Sequence, residues 1–416
     1  MTTGSGSVLL GLLRLPEFRR VWLAGMLTGI ARWLEMLALG IYAFETTRSP
    51  FLVALLVIAR MLPLALFGPF VGALADRMDP RRLLVGSMGL ILLVAVTMFV
   101  LFLTEVAGYW HVAAAAFLAG SLWTTDMPLR RRILGDVAGA DRLGPAMALD
   151  SATNNGTRMI GPLFGGLLFQ MLGATGVYAV SAGLACLSLL LVLALLRDGG
   201  AAQARSRPVT SALTDLVAAV RFALATDDVR RILLVTVVFN VWGFPFTSMI
   251  PVIGRDDLGL ASGWVGVLSA LEGLGAFTGA LLIAGFARPE RFLQLYYFGT
   301  MAFLVLVFGV GVAPGVFMVG AMLACAGLGA AAFSTMQSTL TYLTAPPAMR
   351  GRMFGLLVLC IGSGLLGFSN VGLMAEWFGA AVAIRIIAVE GLIALLVVGL
   401  GWGSLRRPFA APGAVP

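Results

Sequence analysis

Nine charged residues stand inside long apolar runs of this sequence: Arg32, Glu35, Arg60, Asp126, Asp150, Arg158, Glu272, Arg385 and Glu390. At bilayer depth a charge costs about 3 kcal/mol or more, so each position calls for a functional or structural reason. Arg32 and Glu35 are three residues apart and share one helix face. Glu35 could then be charged and paired with Arg32 in one conformation, and unpaired and protonated in another. Such a difference between states is what coupling to a proton requires. Glu272 stands alone in an apolar, glycine-rich stretch and is the second candidate for proton coupling. Arg60 and Arg158 either link helices or line a cavity, and Asp126 and Asp150 fall near inner helix ends, where a gate would lie. Arg385 and Glu390 read as a local pair or a snorkelling arginine.

Uncharged polar and aromatic residues accompany them. Trp33, Asn154, Asn155, Asn240, Trp242, Gln337 and Asn370 could form the wall of a cavity for a mixed apolar and polar organic molecule. Asn and Gln also join membrane helices to one another, so each alone has packing as its ordinary role. His111 is the single histidine, and no cluster of metal-ligand spacing is present, so neither a metal nor a cofactor is expected. Cys186, Cys325 and Cys360 lie in apolar runs and read as small packing residues.

The elements that must position these residues follow from composition. Of 416 residues, 60% are apolar and 12% charged, and mean hydropathy is +0.98. Soluble domains carry about 25% charged residues, so a soluble enzyme, a DNA-binding protein and a disordered chain are excluded. Apolar runs of about 20 residues fit helices that cross the bilayer, whereas a barrel would show alternating ten-residue strands. Twelve spans are predicted, at 20–45, 51–75, 83–103, 112–129, 145–171, 176–196, 231–253, 263–286, 293–312, 316–340, 353–375 and 380–403. Between the sixth and seventh lies a polar linker, 197–208. It is followed by a stretch with Leu213, Leu216, Val217, Val220 and Leu224 at the spacing of an amphipathic helix on the membrane surface.

Net charge is +8, and every basic residue is Arg. With the N-terminus inside, the outer loops hold only Arg48 and Arg255, while the inner segments hold the other loop arginines. This bias places both termini and the linker in the cytoplasm and makes the charge a topology signal rather than a nucleic-acid site. No signal peptide is expected at the N-terminus.

The halves repeat. Phe18, Arg19, Arg20 and Val21 enter the first span as Val229, Arg230, Arg231 and Ile232 enter the seventh. Gly72 and Gly279, Arg81 and Arg288, and Gly165 and Gly372 each differ by 207 positions. Two six-span halves with both termini inside form a parallel repeat, whose substrate site is expected between the halves. The expected fold is all-α, with twelve transmembrane helices as two pseudo-symmetric six-helix bundles around a central cavity. The bounds are 1–198 for the first bundle, 199–229 for the linker, 230–407 for the second bundle and 408–416 for the tail.

Two motifs carry a resemblance. The loop 72–82 contains Gly72, Asp76, Arg77, Arg81 and Arg82, and resembles the signature loop of the major facilitator superfamily. The resemblance implies that Asp76 pairs with inner helix ends, such as that near Arg350 and Arg352, and holds the inner side closed; Arg77, Arg81, Asp126, Arg350 and Arg352 are the other gate candidates. The fifth span contains Gly161, Pro162, Gly165 and Gly166, similar to the motif of drug–proton antiporters in that superfamily. The stretch 347–355 and the linker helix leading to Asp228 and Arg230 resemble the group that includes enterobactin exporters and macrolide efflux proteins. The resemblance covers about residues 14–405.

No Walker loop is present, so an ion gradient is the expected energy source. These features point to a multi-pass secondary transporter of the bacterial inner membrane. It is expected to be a monomer and to export a small amphipathic molecule, drug-like or siderophore-like, against proton entry. A proton-coupled nutrient importer and a non-transporting sensor of the same fold are the alternatives.

Overall fold

The computed structural model describes residues 5–75, 79–139, 142–196, 210–346 and 349–407. Helices account for nearly all of them, and no strand occurs among the described residues. The first helices are α1 (Ser5–Arg14), α2 (Pro16–Thr47), α3 (Pro50–Ala75), α4 (Pro80–Leu103), α5 (Tyr109–Ala138) and α6 (Leu143–Leu193). Then come α7 (Thr210–Ala225), α8 (Asp227–Val238), the single turn α9 (Ile250–Val252) and α10 (Ser262–Phe286). The last are α11 (Phe292–Val310), α12 (Val316–Thr344), α13 (Arg350–Gly362), α14 (Gly364–Phe378) and α15 (Ala380–Gly399).

Among the described residues, nine helical stretches are long and apolar enough to cross a membrane. One of them, α6, runs for 51 residues and is broken at Gly173, whose φ of 62° and ψ of −165° suit glycine. The break falls where the sequence predicts the turn between the fifth and sixth spans. The helix α3 is also apolar along its 26 residues, Pro50–Ala75. The second half of α5 is diluted by Asp126 and the run Arg130, Arg131, Arg132, and α5 is not among the nine.

The seventh predicted span is irregular. From α8 the chain passes through a π turn at Phe239–Gly243, a 3₁₀ stretch at Phe244–Met249, α9, and a second π turn at Ile253–Asp257. Pro245 and Pro251 lack the N–H that a regular helix needs there, so the hydrogen-bond ladder shifts register.

The described chain divides into two compact units. The first comprises Met1–Tyr42 and Ala59–Val209, and the second Ala43–Ile58 and Thr210–Pro416. The tip of the first helical hairpin is thus grouped with the later helices.

In the first unit, α4 packs on α5 and α6. Leu12, Phe18, Val21, Leu84, Met88, Leu134 and Val192 form a buried cluster that ties α1 and the start of α2 to them. Asp79 caps α4 by accepting from the Arg81 backbone N–H at 2.9 Å, and Pro80 occupies the first helical position. His111 likewise closes the start of α5, its Nδ1 accepting the Gly108 N–H at 3.1 Å.

Glycines bring helices together. A Cβ on Gly161 would press on the Trp33 side chain and lie 3.0 Å from the Leu34 nitrogen, and one on Gly165 would lie 2.6 Å from the Leu34 carbonyl oxygen. The fifth-span motif is therefore a seat for α2. Gly156 does not share this role: nothing lies within 4 Å of its Cβ direction, although Thr153 and Thr157 on either side of it meet α2. Gly161→Leu should lower stability by about 3 kcal/mol, the upper range for overpacking, while Gly156→Leu should be near neutral. Thermal unfolding of both variants in detergent measures the contrast, and equal midpoints would remove the motif's packing role.

In the second unit, α10 crosses α12, α12 crosses α11, and α11 crosses α15. Phe239 stacks on Phe333 with ring centres 3.7 Å apart, and Tyr296 stacks on Phe333 at 5.4 Å. The C-terminal end is strapped down by Trp402, whose indole donates to Asp228 at 2.8 Å. Arg231 assists by donating to the Leu400 carbonyl at 2.8 Å. The flanks of the two arginine pairs correspond: Phe18 and Val21, and Val229 and Ile232, are all buried.

Helix α7 forms within the predicted linker, but its buried side is small. Ala219 and Ala223 pack with Val229, Leu233, Met353 and Leu357. Val217, Val220 and Leu224, expected to define one apolar face of a helix on the membrane surface, are exposed, while Ala219 and Ala223 are buried. Cys186 and Cys325 also prove exposed rather than packed inside, and Cys360 is intermediate.

Candidate functional site

The intramembrane charges gather in the first unit. Glu35 of α2 accepts a hydrogen bond from the Ser181 hydroxyl of α6 and lies 3.8 Å from the Arg60 guanidinium of α3. Three helices thus meet on one carboxylate. Arg32, one turn earlier, reaches elsewhere: its Nη2 donates to Asn154 Oδ1 at 2.9 Å. Its guanidinium stands 5.2 Å from the Trp33 ring centre and 4.9 Å from that of Trp123. The Arg32–Glu35 pair expected in one conformation is not formed in this structure. The two side chains diverge to partners on other helices, and Arg60 is the cation beside Glu35.

Toward the other end of this cluster, Asp150 is 2% exposed and binds Arg130 at 2.6 Å and Arg131 at 2.9 Å. Arg130 also approaches Asp126 at 3.9 Å. Gly25 makes room for it, since a Cβ there would lie 2.6 Å from the Arg130 Cδ. Arg158 stands 5.6 Å from the Trp33 ring centre, and Asn155 is half-buried beside it in sequence.

Between these groups is a cavity of about 60 Å³, lined among others by Arg32, Glu35, Arg60, Trp123, Asp126 and Asn154. It holds several waters or a carboxylate-sized group, not a drug-sized molecule. Four buried polar atoms at or beside it have no hydrogen-bond partner among the described residues: Arg32 Nε, Trp33 Nε1, Asp126 Oδ1 and Arg130 Nε.

The second-unit candidates are engaged differently. Asn240 donates to the Thr236 carbonyl at 2.8 Å, and Gln337 donates to the Thr236 hydroxyl at 3.3 Å. The Trp242 indole and the Asn370 amide both donate to Glu390, at 2.9 Å and 3.2 Å. Of these four residues, expected to line a cavity wall, Gln337, Trp242 and Asn370 join helices and Asn240 bonds back along its own helical stretch; Glu390 accepts from Trp242 and Asn370 rather than pairing with Arg385. Arg385 donates to the Ala381 carbonyl at 3.2 Å. Glu272 is 4% exposed in α10, with its carbonyl oxygen against Gly327 of α12.

Of the gate residues, Asp76 and Arg77 lie outside the described residues. Arg81 pairs with Glu17 in the first turn of α2. Arg350 lies over the Tyr342 ring at 3.9 Å, and Arg352 is exposed. Trp123, Arg130 and Ser181 were missed as site residues by the sequence reading. Trp123, Asp126 and Arg130 sit at i, i+3 and i+7 of one helix face, a spacing that could have revealed the first two of these. Nothing in the sequence singles out Ser181.

Buried charge clusters on long apolar helices define a multi-pass helical membrane protein. The chain belongs to the major facilitator superfamily, whose family model matches residues 21–369. It is 27% identical over 369 residues to the multidrug efflux pump Tap of Mycolicibacterium fortuitum, covering 86% of this chain and 88% of that one. It is also 27% identical over 418 residues to the enterobactin exporter EntS of Citrobacter koseri, covering 96% and 95%. The fold is similar to a crystal structure of a POT family transporter in complex with 5-aminolevulinic acid, with a TM-score of 0.77 and 11% identity. That match covers 94% of this chain and 96% of the other.

Proposed function

We propose that this protein is a proton antiporter that exports a small amphipathic organic molecule across the bacterial inner membrane. It acts as a monomer with both termini in the cytoplasm. The bounds 1–198, 199–229, 230–407 and 408–416 describe its two halves, linker and tail. Export is supported by the similarity to an efflux pump and a siderophore exporter.

The observation that carries proton coupling is Glu35, held by Ser181 and facing Arg60 within the apolar helices of the first unit. Glu35 is the coupling residue and Arg60 its counter-charge. Charged, the carboxylate holds both partners. Protonated, it gives up its attraction to Arg60 and releases α3 from that link. Proton binding is thereby converted into a change in how two helices hold each other. Glu272 is the second coupling candidate, and the inner gate comprises Asp76, Arg77, Arg81, Asp126, Arg350 and Arg352.

Glu35→Gln keeps an acceptor for Ser181 but cannot ionise. In inverted vesicles with a pH-reporting dye, this variant is expected to lose substrate-driven proton release while retaining substrate counterflow. Unchanged proton release would remove Glu35 from the mechanism.

A further inference from the structure

We propose that the cavity of the first unit binds the head group of a planar organic anion, an aromatic carboxylate or phenolate, with Arg32 as its counter-ion. The inference rests on the transporter reading above and names the class of substrate that the site takes.

The charge pattern points to Arg32. Glu35 has Arg60 within ion-pair distance, Asp126 has Arg130, and Asp150 has both Arg130 and Arg131. Arg32 has none: among the described residues its polar partner is the neutral Asn154 amide, and its Nε is buried without a hydrogen bond. A buried cation left with a donor unused is costly unless an anion completes it. A guanidinium presents paired donors whose geometry matches a carboxylate.

The tryptophans select the rest of the ligand. Trp33 and Trp123 both stand about 5 Å from the Arg32 guanidinium, which holds its plane and keeps its charge partly compensated by their π faces. A flat aromatic ring beside the carboxylate would continue that stack. The cavity of about 60 Å³ accepts the charged head alone. The unsatisfied Asp126 Oδ1 is an acceptor on the same wall, suited to a hydroxyl on the ligand next to its anionic group.

The probe that matches these groups is salicylate, which carries a carboxylate, a neighbouring hydroxyl and a ring. Salicylamide is its neutral counterpart of nearly the same shape. Quenching of tryptophan fluorescence would be titrated with each on the full chain in nanodiscs, with empty nanodiscs subtracted. Salicylate should bind about tenfold tighter than salicylamide, the factor expected for one charge-assisted pair. Arg32→Gln should abolish that preference, and Arg32→Lys should retain part of it. Equal binding of the two probes by the unaltered protein would overturn the proposal without any variant. A preference that survives Arg32→Gln would overturn the assignment to Arg32. The titration uses no gradient, so its failure leaves the proton-release result in vesicles standing, and a failure of proton release leaves the binding result standing.

Discussion

Asp150→Ala is expected to remove most of the folded protein. Asp150 is almost wholly buried and binds two guanidiniums, Arg130 at 2.6 Å and Arg131 at 2.9 Å. Without it, Arg130 keeps, among the described residues, only Asp126 at 3.9 Å, too far for a hydrogen bond. Removing one member of a buried ion network costs about 3–5 kcal/mol, because the opposite charge is left uncompensated. That is a large part of the total stability of a typical domain. The monodisperse yield and unfolding midpoint in detergent should both fall sharply. A second change, Arg130→Met, should recover part of the loss by removing the stranded cation. A single variant with the midpoint of the unaltered protein would show that the network does not hold these helices.

Gly120→Ala and Gly327→Ala should be nearly as damaging, although each adds one methyl group. At Gly120 the added carbon would overlap the Arg60 carbonyl, and at Gly327 it would overlap the Glu272 carbonyl and lie 2.6 Å from the Ala276 nitrogen. Backbone on both sides cannot rotate aside, so α5 must retreat from α3, and α12 from α10. The close packing that holds membrane helices together is then lost along the crossing. The cost should reach at least the roughly 3 kcal/mol upper range of core overpacking. Gly86→Ala is the control: nothing lies within 4 Å of its Cβ direction, and alanine favours a helix by about 1 kcal/mol. Thermal midpoints should therefore move down for Gly120 and Gly327 and stay level or rise for Gly86. A uniform response would mean that the crossings are looser than described.

Gly120 and Gly327 are 207 residues apart, the offset of the repeat, and they serve equivalent crossings of the fourth span on the second and of the tenth on the eighth. The repeat was legible in the sequence through other positions, such as Gly165 and Gly372. Its physical content was not. Gly372 also marks a close approach, since a Cβ there would lie 2.8 Å from the Ala54 Cβ and 3.3 Å from the Phe51 Cα. A glycine in a glycine-rich membrane chain is silent until the neighbouring helix is placed beside it.

The sequence by itself determined the solvent and the element type. Apolar runs of helical length cannot be exposed to water, and every backbone polar group within lipid must be satisfied inside its own helix. It also determined which residues had to be special, because charges inside such runs are too costly to be incidental. Tertiary structure decided their partners. Arg32 and Glu35 share a helix face, yet their side chains are long enough to reach three other helices. The choice among Arg60, Asn154, Trp123 and Ser181 depends on which helices stand alongside, not on spacing within one helix. For the same reason Asn370 and Trp242, legible as polar residues in apolar spans, became donors to Glu390 only when α8 and its π turn, α14 and α15 packed together.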